Sequence, residues 1–209
     1  MTDNEFINAL IERHGIEIYN KLKKSSAAIA GLGGLGSNVA VALARVGIGK
    51  LFLADFDIVD ITNLNRQYYF AEDIGRAKTE ALSKIIRKIN PVINLETLNI
   101  KITEENAAEI FKNFSVVCEC FDKAESKAML INTLLTETDN VTVVSASGMA
   151  GFGTSNTIKT KQPMERLYIC GDFVSGIEEG LGLMAPRVGI CAMHQANMVL
   201  RLLLGIKEI

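Results

Sequence analysis

The sequence predicts an α/β fold: a mostly parallel central sheet with helices on both faces, continued by antiparallel strands and a C-terminal helix, and preceded by an N-terminal helical segment. Three observations carry the prediction. Over residues 27–146, short apolar runs alternate with amphipathic helical stretches, the pattern of successive β-α-β units. Gly31-Leu32-Gly33-Gly34-Leu35-Gly36-Ser37 lies between one such run and a helix, where a glycine-rich turn can lead a strand into a helix N-terminus. Asp55 closes the next apolar run, nineteen residues beyond Gly36. Together they describe a Rossmann-like sheet with a nucleotide at its C-terminal edge.

Residues 4–22 read as helix, because Phe6, Ile7, Leu10, Ile11, Ile18 and Leu22 recur at helical spacing; Gly15 can split it in two. Residues 27–30 form the first buried strand. The helix after the glycines places Val39, Ala40, Leu43, Ala44 and Val46 toward the core. Strand 50–54 delivers Asp55 at its end, and residues 60–69 are polar and irregular. Helix 76–89 has Ala81, Leu82, Ile85 and Ile89 on one side and stops at Asn90-Pro91. Strands at 92–100, 115–119 and 141–146 alternate with helices at 103–113, capped by Thr103, and 123–135. The pattern then changes. Residues 153–161 alternate like an exposed antiparallel strand, and 166–170 form another short strand. Residues 170–183 hold glycines together with Asp172, Glu178 and Glu179 and read as a mobile acidic loop. Residues 186–204 close the chain as a largely apolar helix ending at Gly205. We read residues 1–209 as one domain: N-terminal helices over 1–24, a nucleotide-binding part over 25–150, and strands, loop and closing helix over 151–209.

A net charge of −2 gives no electrostatic argument for nucleic acid or an anionic membrane. No apolar run reaches bilayer-spanning length, and Met1-Thr2-Asp3-Asn4-Glu5 is too polar for a secretory leader, so a cytoplasmic location is expected. Cys118, Cys120, Cys170 and Cys191 form no CxxC pair, and no structural zinc is expected. Cys118 and Cys120 alternate with Val116 and share a strand face as small hydrophobes, and Cys191 packs on the closing helix. His194, in the same helix, reads as a satisfied core residue.

The glycines allow a phosphate to approach the backbone, and the helix behind them offers free N–H groups and a favourable dipole. Asp55 stands where an acid binds a ribose. Arg66, in Asn63-Leu64-Asn65-Arg66-Gln67, and Lys78, in Gly75-Arg76-Ala77-Lys78, supply two cations near the phosphates. A triphosphate on which charge develops needs such cations more than a pyrophosphate bridge does. Asp122, at the end of the fourth strand, is either a metal carboxylate or the N-cap of the next helix. An NAD(P)-dependent oxidoreductase is the alternative reading of the same glycine loop.

Gly31–Ser37, Asp55-Phe56-Asp57-Ile58-Val59, Thr62–Gln67 and Gly75–Lys78, in this order and spacing, resemble the ThiF/MoeB family of ubiquitin-activating-type adenylyltransferases. The late segments Ser145–Ala150, Tyr168–Asp172 and Leu183–Gly189 resemble its zinc-free subgroup of thiamine biosynthesis. The resemblance implies an ATP- and Mg²⁺-dependent enzyme that activates the C-terminal glycine of a small β-grasp, ubiquitin-like sulfur-carrier protein (ThiS-like) as an acyl-adenylate. It implies a homodimer; the length of the apolar runs argues against a membrane, and the low net charge and lack of a basic stripe argue against nucleic acid. Activation of a small molecule or a tRNA base stays open as an alternative within the same superfamily. Residue by residue, it implies a phosphate loop at Gly33 and Gly34, a ribose acid at Asp55, phosphate-side groups at Asn63, Arg66 and Lys78, and a metal ligand at Asp122. The motif residues Gly31, Gly36, Asp57, Asn65 and Gln67 complete the nucleotide-contacting set. Arg66, Lys78 and Asp122 carry the catalysis. Cys170, next to the acidic loop and so expected to be accessible, is the candidate thiol for sulfur transfer, with a structural role as its alternative. The arginine that relatives supply from the partner subunit has Ala9 at the matching position, with Arg13 as its substitute.

Overall fold

The computed structural model of the protein describes residues 2–177 and 180–209. Helix α1 (Asp3–His14) starts at Thr2, whose hydroxyl accepts the Glu5 N–H at 3.3 Å while Glu5 Oε2 accepts the Thr2 N–H at 2.7 Å. This reciprocal pair satisfies two otherwise orphaned donors. Gly15 ends α1 at a φ of 82°, and α2 (Ile16–Lys23) follows, so the N-terminal segment is indeed two helices.

Among the described residues seven strands form one sheet: β1 (Ser26–Ala30), β2 (Lys50–Asp55), β3 (Asn94–Asn99), β4 (Val116–Glu119), β5 (Thr142–Ala146), β6 (Lys159–Met164) and β7 (Leu167–Gly171). Their spatial order is β3-β2-β1-β4-β5-β7-β6. All neighbouring pairs are parallel except β6 with β7. The late strands are thus antiparallel to each other, as expected. The hairpin reverses the chain twice, however, which brings β7 back parallel to β5 and leaves β6 as the one antiparallel edge. The strand expected from residue 153 begins only at Lys159, because Ser155–Thr157 form a single 3-10 turn. Edge strand β6 carries Lys159, Lys161 and Pro163 and an irregular register between Lys161 and Met164, features that discourage pairing with another chain.

The alternation of side chains divides the core between two faces. Ile29 of β1 and Leu51 and Leu53 of β2 pack with α3 (Gly34–Arg45), α4 (Lys78–Ile89) and α7 (Ala185–Leu203), through Val39, Leu43, Leu82, Ile86, Val188 and Val199. Ala28 and Ala30 face the other way. There Val117 and Val143 meet α5 (Glu104–Phe111) and α6 (Ala124–Glu137) through Phe111, Leu130 and Leu134. At the start of α5, the group that reaches back to the Thr103 N–H is Asn106 Oδ1, at 2.9 Å.

The chain runs from β1 outward to β2 and β3, then returns to place β4 on the other side of β1. The direction of winding therefore changes between β1 and β4, and the crevice beyond their C-terminal ends is where open α/β sheets hold ligands. None of the described helices is long and apolar enough to cross a membrane.

Candidate active site

Gly31 leaves β1 with its N–H bonded to the Ala54 carbonyl at 2.8 Å. Its φ is +89°, and a Cβ there would lie 2.9 Å from the Cys120 carbonyl oxygen. At Gly36 a Cβ would fall 1.9 Å from the Gly31 carbonyl oxygen, so α3 can press onto the strand end only with glycine at this position. Gly33 differs. The nearest atom to a Cβ on it would be Gln67 Nε2, at 3.8 Å, which leaves an open side for a ligand. Gln67 is buried, and its Oε1 has no partner among the described residues. The first turn of α3 has no side-chain cap, so its N–H groups are available to an anion. Around Gly34 stand the Arg66 stem, with Cγ 3.4 Å from the position of a Cβ, and Val188 of α7 at 3.0 Å.

Buried Asp55 ties the loop to the strand edge. Its Oδ2 accepts the Leu32 N–H at 2.6 Å and its Oδ1 accepts the Asp57 N–H at 2.7 Å. Asp57 Oδ2 in turn lies 3.0 Å from Lys78 Nζ. The Lys78 side chain is 7% exposed and Asp57 50% exposed, so the ammonium is held inward by a carboxylate that water can still solvate. Lys78 is the first residue of α4, and its N–H donates to the Asp57 carbonyl at 2.9 Å.

The 60–69 stretch is ordered by its polar side chains. Asp60 Oδ1 accepts the Thr62 N–H at 2.8 Å and Asn63 Oδ1 accepts the Asp60 N–H at 3.1 Å, which makes a 3-10 turn over Ile61–Asn63. Arg66 is half-buried, and its Nη1 donates to Asn65 Oδ1 at 2.7 Å. Asn65 Nδ2 reaches the Leu183 carbonyl at 3.1 Å and so joins this motif to the approach of α7. Ser37 and Asn38 complete the clamp. Ser37 Oγ accepts the Tyr68 N–H at 3.0 Å, and Asn38 Nδ2 donates to the Arg66 carbonyl at 3.2 Å.

Asp122 is exposed just beyond β4 and makes no hydrogen bond among the described residues. It does not cap α6, whose N-cap is Lys123. Asp122 follows Cys120 and Phe121, which adjoin Gly31, and a carboxylate in that position is of the type Mg²⁺ takes, one or two at a time, together with substrate phosphates and water. Among the described residues no three His, Cys, Asp or Glu side chains converge on a metal-sized site.

The sequence profile of the ThiF family matches residues 7–209. The chain belongs to that family. Molybdopterin-synthase adenylyltransferase of Haemophilus influenzae is 34% identical over 195 residues, covering 89% of this chain and 77% of its own length. Adenylyltransferase and sulfurtransferase UBA4 of Saccharomyces cerevisiae is 30% identical over 203 residues, and the chain spans 45% of that protein. Among solved structures, the Escherichia coli tRNA N6-threonylcarbamoyladenosine dehydratase TcdA in complex with ATP superposes with a TM-score of 0.85, over 96% of this chain and 94% of its own, at 21% identity. Escherichia coli MccB superposes at 0.71, covering 93% of this chain and 63% of its own. With these relatives named adenylyltransferases, the oxidoreductase reading is set aside.

Several residues of this ThiF-family chain are placed otherwise than the sequence suggested. Cys170 is fully buried on β7, not accessible beside a loop. Burial pushes its thiol up to about 11, against the opposing hydrogen bond from Thr160. Native protein treated with iodoacetamide near pH 7.5 should therefore keep Cys170 unmodified, with labelling only after denaturation; peptide mass spectrometry reads the difference. Rapid native labelling would reopen the sulfur-transfer role. Asp172 is no loop charge. It is half-buried against Arg187, with its Oδ2 2.5 Å from Nη2, and Oδ1 accepts the Val174 and Ser175 N–H groups at 2.9 Å. Burial acts to raise its pKa, but these donors outweigh it and hold Asp172 down to about 2. Glu178 and Glu179 lie outside the described residues. His194 is half-buried, with Nδ1 3.2 Å from Thr160 Oγ1. The fully buried polar residue of that helix is Gln195, whose Nε2 donates to the Glu119 and Val144 carbonyls at 3.0 and 3.2 Å.

Sequence reasoning also passed over Glu119. Its carboxylate, completely buried at the end of β4, accepts from the Phe121 N–H at 2.6 Å, Ser145 Oγ at 2.5 Å and Lys127 Nζ at 3.0 Å. A glutamate inside an otherwise apolar strand, eight residues before a lysine one helical turn into α6, was the available signal.

Proposed function

We propose that this chain is an ATP-dependent adenylyltransferase that activates the terminal glycine carboxylate of a small ubiquitin-like sulfur carrier as an acyl-adenylate, with a ThiS-like carrier of thiamine (thiazole) biosynthesis as its target. One observation supports this most. An open, uncapped glycine turn is flanked by an inward-held lysine and an arginine whose stem lies on the loop. A dinucleotide held by the turn alone would make no use of that pairing.

The chemistry follows from charge. The carrier's terminal carboxylate is already ionised at neutral pH and needs no general base. It attacks the α-phosphorus in line; a new O–P bond forms as the bond to pyrophosphate breaks. Anion–anion repulsion and placement set the barrier. Lys78 and Arg66 offset phosphate charge, and the free N–H groups of α3 hold the triphosphate in register. Mg²⁺, when bound, supplies further charge neutralisation on the phosphates, and Asp122 is the residue that would hold it. We also propose a homodimer in which exposed Arg13 of one subunit can serve the other's site.

The test incubates the protein with ATP–Mg²⁺ and separately with ThiS-like and molybdopterin-synthase-type carriers ending in Gly-Gly. Mass spectrometry looks for the added AMP. Adenylation of the ThiS-like carrier supports the full reading. Adenylation of only the second carrier keeps the reaction and replaces the target, and no adduct on either overturns the proposal.

A further inference from the structure

The Leu32 peptide groups at the heart of the glycine loop are fixed from two sides. Asp55 takes the Leu32 N–H at 2.6 Å, and the Tyr69 hydroxyl donates to the Leu32 carbonyl at 2.8 Å. Tyr69 is only 6% exposed. In a trans peptide the C=O and N–H point in opposite directions. A Leu32 carbonyl turned inward to Tyr69 therefore turns the Gly33 N–H away from it, at a residue where even a Cβ would meet nothing closer than Gln67 Nε2 at 3.8 Å. A second consequence concerns the helix. The Leu32 carbonyl is the i−4 acceptor that the Gly36 N–H would use if α3 began a residue earlier. With that carbonyl held by Tyr69, α3 makes its first such bond from the Ser37 N–H to the Gly33 carbonyl, at 3.0 Å. The Gly36 N–H has no partner among the described residues and is one of the first-turn donors at the mouth of the helix.

We infer that Tyr69 is a positioning residue of the nucleotide site: its hydroxyl aims the N–H groups of Gly33 and Gly36 at the triphosphate. The inference rests on the adenylyltransferase reading and adds to it a residue that touches no substrate. Burial, together with the charges of Asp55, Asp73 and Asp57, raises the Tyr69 pKa, so the phenol remains a donor throughout the working pH range.

The variant Tyr69→Phe removes one oxygen and keeps the ring. Calorimetric titration with ATP–Mg²⁺ should show binding about tenfold weaker than in the wild type, since one hydrogen bond and its orienting effect are lost. The KM for ATP should rise while the KM for the carrier stays unchanged, and amide hydrogen exchange should quicken over residues 32–36 but not in α4. If Tyr69→Phe does not fold, Tyr69→Met, smaller but flexible, apolar and without the donor, carries the same expectation. A nucleotide affinity within twofold of the wild type, with a lowered melting temperature as the sole change, makes Tyr69 merely structural and overturns the inference alone. A wild-type protein that binds no ATP overturns the inference and the adenylyltransferase reading together.

Discussion

Lys78→Ala should lower carrier-dependent ATP–pyrophosphate exchange by about 10²–10³-fold, the loss usual when a preorganised charge aimed at a transition state is removed. Arg66→Ala should act in the same direction. The lysine is the stronger test because of its setting. Its ammonium is buried 3.0 Å from Asp57 Oδ2, and Asp57 is joined through its own N–H to Asp55 and so to the phosphate loop. A lysine held inward by one carboxylate is already placed when triphosphate arrives and loses little side-chain entropy on engaging it. The fold should survive the substitution, because Asp57 is half-exposed and water can solvate the carboxylate left behind. Exchange assayed alongside circular dichroism separates the two effects. Wild-type exchange rates in both Lys78→Ala and Arg66→Ala would remove these side chains from the reaction.

Glu119→Leu should cost about 3–5 kcal/mol of stability, because it strands Lys127 inside the fold without a counter-charge. Lys127 is 17% exposed and Glu119 not at all, so the lysine has little access to water. The substitution also removes the acceptor for the Phe121 N–H and the Ser145 hydroxyl. For a chain of this size the melting temperature should fall by about 10 °C. Adding Lys127→Met should recover more than half of the loss, since two apolar side chains of similar bulk can replace a buried ion pair at little cost. Thermal and urea unfolding of the single and double variants measure both effects. A single variant as stable as the wild type, or a double variant no better than the single, would show that the pair is not a coupled unit.

Much of this architecture was legible because it depends on local periodicity. Every parallel strand up to residue 146 overlaps a stretch where the sequence predicts one, the polar edge strand β3 included, and Gly15 split the first helix through its positive φ. Gly31 and Gly36 were legible for a related reason: a strand that turns at once into a packed helix has no room for a side chain there. What failed was exposure. Cys170 neighbours a glycine-rich acidic stretch in sequence, yet the pleat of β7 points its thiol into the core. Asp172 looked like a solvated loop charge because its partner Arg187 is fifteen residues away, across a crossover. Asp122 looked like a helix cap, but the helix starts one residue too late for it.

The order of apolar runs, glycines and acids along the chain was enough to determine that an α/β sheet with a glycine turn at its C-terminal edge would form, because each of those signals acts over a few residues through backbone sterics and helix-end electrostatics. Only the tertiary structure decided which polar groups are buried and what they face: Lys78 toward Asp57, Glu119 toward Lys127, and Tyr69 on the Leu32 carbonyl. Those pairs join elements between 8 and 37 residues apart, where no periodicity reaches. Their formation depends on how the strands and helices pack, and burial then makes each unmatched polar group costly enough to fix its partner.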